Sequence, residues 1–129
     1  MKNREIKFRG KRLANDEWCY GSLLIWADGE CTILEKSDSS NAVWKREINP
    51  DTVGLFTGLC DRNGKEIYEG DIVRNESAGF CGVVQYRDAT FIIFLGEMNG
   101  ALLICLQTGS LEIIGNIHDN PELLKGGEQ

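Results

Sequence analysis

The 129-residue sequence contains few of the residues from which enzyme sites are usually built. His118 is the single histidine, and no serine or cysteine motif surrounds it that would form a catalytic triad. There is no G-x-G-x-x-G or G-x-x-x-x-G-K motif whose backbone could cradle a phosphate group. The sequence therefore predicts a protein that is not an enzyme and that requires no cofactor.

Paired cysteine motifs are also absent. The cysteines stand far apart without a C-x-x-C pair and are odd in number, so neither a zinc site nor a disulfide framework is indicated. Most of them lie in apolar runs, which is typical of buried, reduced thiols. They are Cys19, Cys31, Cys60, Cys81 and Cys105.

No apolar stretch is long enough for the core of a signal peptide or for a membrane span, so we expect neither secretion nor membrane insertion. A net charge of −6 argues against general attraction to nucleic acids or anionic membranes. The charge is uneven, however. Residues 1–12 contain six basic side chains and one acid, a local charge of +5.

Basic residues in two places are the candidate nucleic-acid contacts. Residues 4–9 alternate, with Ile6 and Phe8 on one face, as in a half-buried strand whose charged residues face solvent. Trp44-Lys45-Arg46 combines an aromatic ring with two cations, as in nucleic-acid-binding barrels. We favour the other interpretation, in which both are ordinary solvated strand faces. The candidate contacts are Lys7, Arg9, Lys11, Arg12, Lys45 and Arg46.

Turn-forming residues interrupt the stretch from Val53 to Arg74. Asn63-Gly64 is typical of a type I′ hairpin turn, in which both central residues have positive φ. Gly70 can adopt a left-handed conformation, and Asp71 can bond nearby backbone amides. The acids here could form an acid–base pair, but their turn positions favour a structural role. The predicted turn residues are Asp61, Asn63, Gly64, Glu69, Gly70 and Asp71.

Short strand-like runs recur at roughly ten-residue spacing, which is typical of a β-sandwich or small barrel. Examples are Val43–Ile48 and the apolar run 90–95, and Asn120-Pro121 begins one short helical turn near the C-terminus. The length predicts a single domain, 1–129. The Asn49-Pro50 step divides it into an N-terminal β lobe, 1–50, and a C-terminal small barrel, 51–125, which we expect to share one core.

Three stretches resemble the YopX family of bacteriophage and prophage proteins. They are TGLCDRNGKEIYEGDIV at 57–73, REIKFR at 4–9 and IGNIHDNPELL at 114–124. The resemblance implies an all-β fold of strongly bent antiparallel sheets and a location in the host bacterial cytoplasm. The EGDIV run at 69–73 is also similar to the entry into SH3-like barrels, which predicts such a barrel in the C-terminal half. The family has no established activity that could be assigned to these residues.

The function that we favour from the sequence is that of a small accessory protein that binds a host or phage protein, or assembles with itself. Unpaired strand edges of a β fold would supply the binding surface, and we expect a homo-oligomer. The main alternative is a nucleic-acid-binding β-barrel that uses the basic N-terminal strand. An enzyme acting through the carboxylates of the central stretch is the third, less favoured, hypothesis.

Overall fold

The computed structural model describes residues 5–96, 100–103 and 108–126, which form mainly antiparallel β-strands. The chain divides into two compact units, Met1–Phe56 and Thr57–Gln129. The strands of the first unit are β1 (Phe8–Lys11), β2 (Trp18–Ile25), β3 (Cys31–Lys36), β4 (Val43–Ile48) and the beginning of β5 (Gly54–Cys60). A 3-10 turn, Pro50–Thr52, precedes β5.

The strands of the first unit hydrogen-bond in the order β4-β3-β2-β1-β5. Strands β2 and β3 form a hairpin in which Ile25 pairs with Cys31, and the Trp26 N–H closes its loop on the Glu30 carbonyl at 2.8 Å. Alternation along the strands brings buried residues together, and Phe8, Leu23 and Val53 pack against them. The buried cluster of this unit consists of Cys19, Cys31, Ile33 and Ile48.

The second unit contains the rest of β5 and the elements β6 (Glu66–Tyr68), β7 (Asp71–Asn75), β8 (Phe80–Arg87), β9 (Thr90–Phe94), β10 (Ala101–Leu103), β11 (Glu112–Asn116) and α1 (Glu122–Gly126). Strands β7 to β11 form a second sheet in the order β10-β9-β8-β7-β11. Strand β6 neighbours β5. The buried cluster of this unit consists of Ile67, Val73, Val84, Ile93 and Leu111.

The mostly β prediction is confirmed, with two antiparallel sheets and one short helix among the described residues. The SH3-like barrel is not confirmed. The second sheet is open, because β10 and β11 form its two edges and do not pair within the described ranges. The single domain and its two lobes sharing one core stay predictions, and each compact unit has a buried cluster of its own.

The predicted exposure of the first strand is wrong. Strand β1 begins at Phe8; Ile6, predicted to be buried, is 60% exposed, whereas Arg9, predicted to face solvent, is only 6% exposed. The Arg9 guanidinium lies 4.5 Å from the centre of the Trp18 ring. Arg9 is thus covered because its strand is flanked on both sides, by β2 and by β5, and a neighbouring aromatic ring lies over it.

Candidate functional site

Asp61 organises the first of the predicted turns. Its carboxylate accepts hydrogen bonds from the backbone N–H groups of Asn63 (2.9 Å), Lys65 (2.9 Å) and Ile113 (3.0 Å). Burial alone raises the pKa of Asp61, but these three N–H groups outweigh burial and hold the pKa below its ordinary value. The side chain is therefore an ionised acceptor committed to the backbone.

The turn at Asn63-Gly64 is not of type I′. Gly64 has a φ of +82°, but Asn63 is not among the residues with positive φ. The Gly64 N–H donates to the Asp61 carbonyl at 3.0 Å, and Asp61 also holds the N–H of Asn63. The type I′ prediction is wrong because the bonds from Asp61 favour an Asx turn with one left-handed residue.

The second predicted turn, at residues 69–71, is also held by backbone bonds. The Asp71 carboxylate accepts the Tyr68 N–H at 2.7 Å. Gly70 has a φ of +95°, and its N–H donates to the Val84 carbonyl at 2.8 Å. Glu69 is half-buried beside it, and the Tyr68 hydroxyl donates to Glu66 at 3.1 Å. These bonds explain why aspartate stands at position 71 and glycine at position 70.

Four of the six candidate nucleic-acid contacts lie against the protein's own aromatic rings. One of them is Arg9, which lies over Trp18 as described above. Lys7 lies 5.1 Å from the Phe56 ring centre, Lys11 lies 5.6 Å from that of Trp18, and Arg46 lies 5.0 Å from that of Trp44. Ion pairs join Lys7 to Glu5 at 3.4 Å and Arg46 to Glu35 at 3.3 Å.

The remaining two candidate contacts differ from each other in exposure. Arg12 is half-buried and forms an isolated β-bridge with Ile48. Lys45 is exposed on β4. Of the six cations, Lys45 alone is exposed, Arg9 is buried, and the other four are half-buried.

The cysteines and the histidine that the structure describes differ in burial and in the bonds that they make. Burial raises the pKa of the Cys19 thiol to about 11 and also raises that of Cys81. Cys60 is exposed, and Cys105 lies outside the described residues. The backbone N–H of His118 donates to the Asn116 side chain, in the turn after β11. Within the ranges that the structure describes, no three metal-ligating side chains converge.

A groove of about 450 Å³ lies in the first unit, beside the β2–β3 hairpin and the end of β4. Its apolar wall includes Leu13, Trp26 and Pro50. The Trp26 indole N–H donates to the Thr32 hydroxyl at 2.9 Å, which fixes the orientation of the ring, and the residue is 49% exposed. Its lining also contains three acids, Asp28, Glu30 and Glu47, and one cation, Lys45.

Within the ranges that the structure describes, the outer edge of β4 is covered at one end only. There the Leu13 N–H donates to the Glu47 carbonyl, and the Asn49 N–H donates to the Lys11 carbonyl, both at 2.9 Å. Since backbone groups alternate in direction along a strand, the N–H and C=O groups of Val43 and Lys45 also point outward. In the part of the chain that the structure describes, no strand pairs with this outer edge at residues 43–46.

Two apolar side chains within this segment of β4 are exposed. Val43 is 53% exposed and Trp44 is 52% exposed. In the sequence, Trp44 is marked by its two neighbouring cations, whereas no motif indicates a role for Trp26 or for the acids of the groove. The signal for Trp26, Asp28 and Glu30 is a tryptophan followed by two acids in a hairpin turn, which is common in surface loops, and Glu47 lies outside that turn, in β4.

None of the helices within the described ranges has the length and hydropathy of a membrane span. A family model described as "YopX protein" matches residues 7–125. No match was found among curated proteins.

Two solved structures are similar to this chain over nearly its whole length. Protein EF1440 from Enterococcus faecalis has a TM-score of 0.61 and 24% identity, over 95% of this chain and 99% of that one. Protein yopX from Bacillus subtilis has a TM-score of 0.59 and 18% identity, over 92% of this chain and 95% of that one. At these identities the similarity shows the shared fold.

Proposed function

Because this chain belongs to the YopX family, we propose that it is a small non-enzymatic protein that works by pairing a free strand edge with another protein or with a second copy of itself. The observation that supports the proposal is the edge of β4. Its outward backbone groups at Val43 and Lys45 face no strand within the described ranges. An extended segment can add to such an edge through main-chain hydrogen bonds.

Self-pairing is the form of the proposal that we favour. Two identical edges can pair antiparallel about a two-fold axis, which is the commonest symmetry of soluble oligomers. The exposed side chains of Val43 and Trp44 would then lose contact with water as the dimer forms. A segment of a host or phage protein is the other form, and it would occupy the same edge.

The experiment uses sedimentation velocity on the full chain and on two variants of one residue. Lys45→Pro removes the outward N–H and places a ring at the edge, whereas the pairing of β4 with β3 does not use that N–H. Lys45→Thr is the control, because it removes the same side chain but keeps the N–H. We expect the wild type and Lys45→Thr to dimerise and Lys45→Pro to stay monomeric.

If the wild type is monomeric, the next experiment tests whether it captures a partner protein. Immobilised wild type and Lys45→Pro are then compared for proteins retained from a lysogenic host lysate, identified by mass spectrometry. A protein that the wild type retains and Lys45→Pro does not retain supports the second form of the proposal, in which the edge binds a host or phage protein. A monomer that retains no edge-dependent partner contradicts the proposal as a whole.

The non-enzymatic part of the proposal is supported by the bonds that the acids of the central stretch make. The carboxylates of Asp61 and Asp71 both accept backbone N–H groups, as turn residues do. The phage or prophage origin and the location in the host cytoplasm are supported by the resemblance to the YopX family. Co-purification from lysogenic cells also tests that location.

Nucleic-acid binding has less support. Arg9 is buried against Trp18, and Arg46 pairs with Glu35. A fluorescence-anisotropy titration with single-stranded and duplex oligonucleotides at low salt separates the two functions. Binding that weakens steeply as salt rises would favour nucleic acid over a protein partner.

A further inference from the structure

The tryptophans of the first unit differ in what lies over their rings. Arg9 and Lys11 lie over Trp18, and Arg46 lies over Trp44. No cation of the described residues lies over Trp26, although its ring is held by Thr32 and is half exposed. A fixed tryptophan face with no cation of its own can bind the cation of another molecule.

The groove beside Trp26 also contains negative charge that no ion pair among the described residues neutralises. Asp28, Glu30 and Glu47 line it, against one lining cation, Lys45. Among the described residues, none of these three carboxylates forms an ion pair. The charge of Asp28 raises the pKa of Glu30, as expected for neighbouring acids without a counter-ion.

The shape of the groove favours a long organic cation over a metal ion. Its volume of about 450 Å³ is large enough for a side chain, and its acids do not converge as metal ligands, in the ranges that the structure describes. Leu13 and Pro50, which are both exposed, supply apolar surface along it. A lysine or arginine side chain has the matching form, because its stem is apolar and its head is charged.

We propose that this groove binds a lysine or arginine side chain carried by an extended segment of a partner protein. The cation lies over the Trp26 ring, between the carboxylates, and the stem packs on Leu13 and Pro50. This inference rests on the proposal that the protein acts by binding another protein, and it names the chemistry of that partner. It concerns side-chain recognition in the groove, which is separate from main-chain pairing at the edge of β4.

The experiment is a fluorescence-anisotropy titration of the full chain with labelled ten-residue peptides. One peptide alternates arginine with alanine, a second replaces arginine with lysine, and two others carry glutamine or glutamate at the same positions. We expect the arginine and lysine peptides to bind, and to bind more weakly as salt rises. The glutamine and glutamate peptides should not bind.

Variants of the groove show whether binding occurs there. Trp26→Leu keeps an apolar wall without the ring and should weaken binding roughly three- to tenfold. The triple change Asp28→Asn, Glu30→Gln and Glu47→Gln should weaken it by about tenfold or more. Tyr86→Leu is the control for the ring, because Tyr86 is an exposed aromatic residue of the second unit that does not line the groove.

The control for charge makes the same change in net charge on exposed acids of the second unit. It combines Glu76→Gln, Asp88→Asn and Glu122→Gln. Both controls should bind the arginine peptide within about twofold of the wild type. Circular dichroism melts show whether each variant is folded, and the triple groove variant still tests the groove if Trp26→Leu unfolds.

Three results would overturn the inference: no binding at low salt, equal binding of the glutamate peptide, or equal weakening by the two triple variants. The edge proposal is tested separately with Lys45→Pro and Lys45→Thr. If the wild type self-associates but does not bind the arginine and lysine peptides, the groove inference is wrong and the edge proposal stands. The wild type could instead bind the peptides but neither dimerise nor retain a partner that Lys45→Pro fails to retain. In that case the edge proposal is wrong and the groove inference stands.

Discussion

The carboxylate of Asp61 and the backbone N–H of Ile113, 52 residues apart in sequence, are joined by a hydrogen bond of 3.0 Å. The same carboxylate also closes its own turn, through the N–H groups of Asn63 and Lys65. Asp61 is buried, so these N–H groups have little access to water as an alternative partner. One side chain therefore holds a local turn and a distant strand in place together.

Replacing Asp61 should destabilise the protein strongly. Asp61→Ala leaves three backbone N–H groups without their acceptor, and we expect the free energy of unfolding to fall by roughly 2–4 kcal/mol. Asp61→Asn should cost less, because its remaining oxygen can still accept bonds within the turn. Urea denaturation measures both changes, and Asp38→Ala in an exposed loop should stay within about 0.5 kcal/mol of the wild type. Equal stability of the two alanine variants would contradict this role.

The lowered pKa of Asp61 predicts acid sensitivity of the fold. A group whose pKa is depressed in the folded state contributes its full stability above its unfolded pKa, near 4 for aspartate. That stability is lost as the pH falls through the folded pKa, because protonation weakens the bonds to the N–H groups. We expect the melting temperature to fall less between pH 5 and about pH 2 in Asp61→Asn than in the wild type. Parallel pH profiles would argue against this prediction.

A side chain at Gly82 has no space in strand β8. A Cβ atom there would lie 2.6 Å from the Phe94 carbonyl oxygen and 2.7 Å from the Ile93 side chain. Since the carbonyl belongs to the neighbouring strand β9, it cannot move without disturbing the sheet. Gly82→Ala should lower the free energy of unfolding by roughly 1–3 kcal/mol in a urea titration. Gly109→Ala, where nothing lies within 4 Å, is the control and should change little.

The hairpin between β8 and β9 has a two-residue loop with positive φ at both positions, +51° at Asp88 and +64° at Ala89. This is the type I′ geometry, which favours glycine at the second position. Ala89→Gly should therefore raise the free energy of unfolding by about 0.5–1 kcal/mol, since alanine is strained at this φ. Thermal melts measure this change. Ala78→Gly, at a position without positive φ, is the control and should not stabilise the protein. Stabilisation of both variants to the same extent would show that the loop strain is not the cause.

Cys19 should resist alkylation in the folded protein. The thiol is buried and its pKa is raised to about 11, so little reactive thiolate is accessible near neutral pH. Exposed Cys60 should react with iodoacetamide at pH 8 much faster than Cys19, as followed by peptide mapping with mass spectrometry. Guanidinium should remove the difference, and Cys60→Ser should remove the fast-labelled peptide. Rapid labelling of Cys19 without denaturant would contradict the packing of the first unit.

Local sequence signals predicted most of the strands. Strand β4 has the predicted bounds, Val43–Ile48, and the predicted apolar run 90–95 contains strand β9. The turn type at Asn63-Gly64 was predicted wrongly, because the side chain of Asp61 and not the Asn-Gly pair sets that geometry. The exposure of Arg9 was also predicted wrongly, because period-two alternation says nothing about which rings cover a strand from its neighbours.

The candidate site was the least predictable part of the molecule. Trp26 and Glu47 are separated by some twenty positions, and only the pairing of β3 with both β2 and β4 brings their side chains to one groove. The free edge of β4 depends equally on distant residues. The free part of this edge ends where the Leu13 N–H donates to the Glu47 carbonyl. No motif in either segment predicts that contact.

By itself, the order of residues determined what depends on near neighbours: the β-rich character, the turn positions and the resemblance to one family, since strand pattern and turn chemistry act over a few residues. Tertiary structure alone decided which strands became edges, which cations were covered by rings, and which acids came to share a groove with Trp26. These properties arise from contacts between segments far apart in the chain, and the free energy of those contacts is set by burial and register.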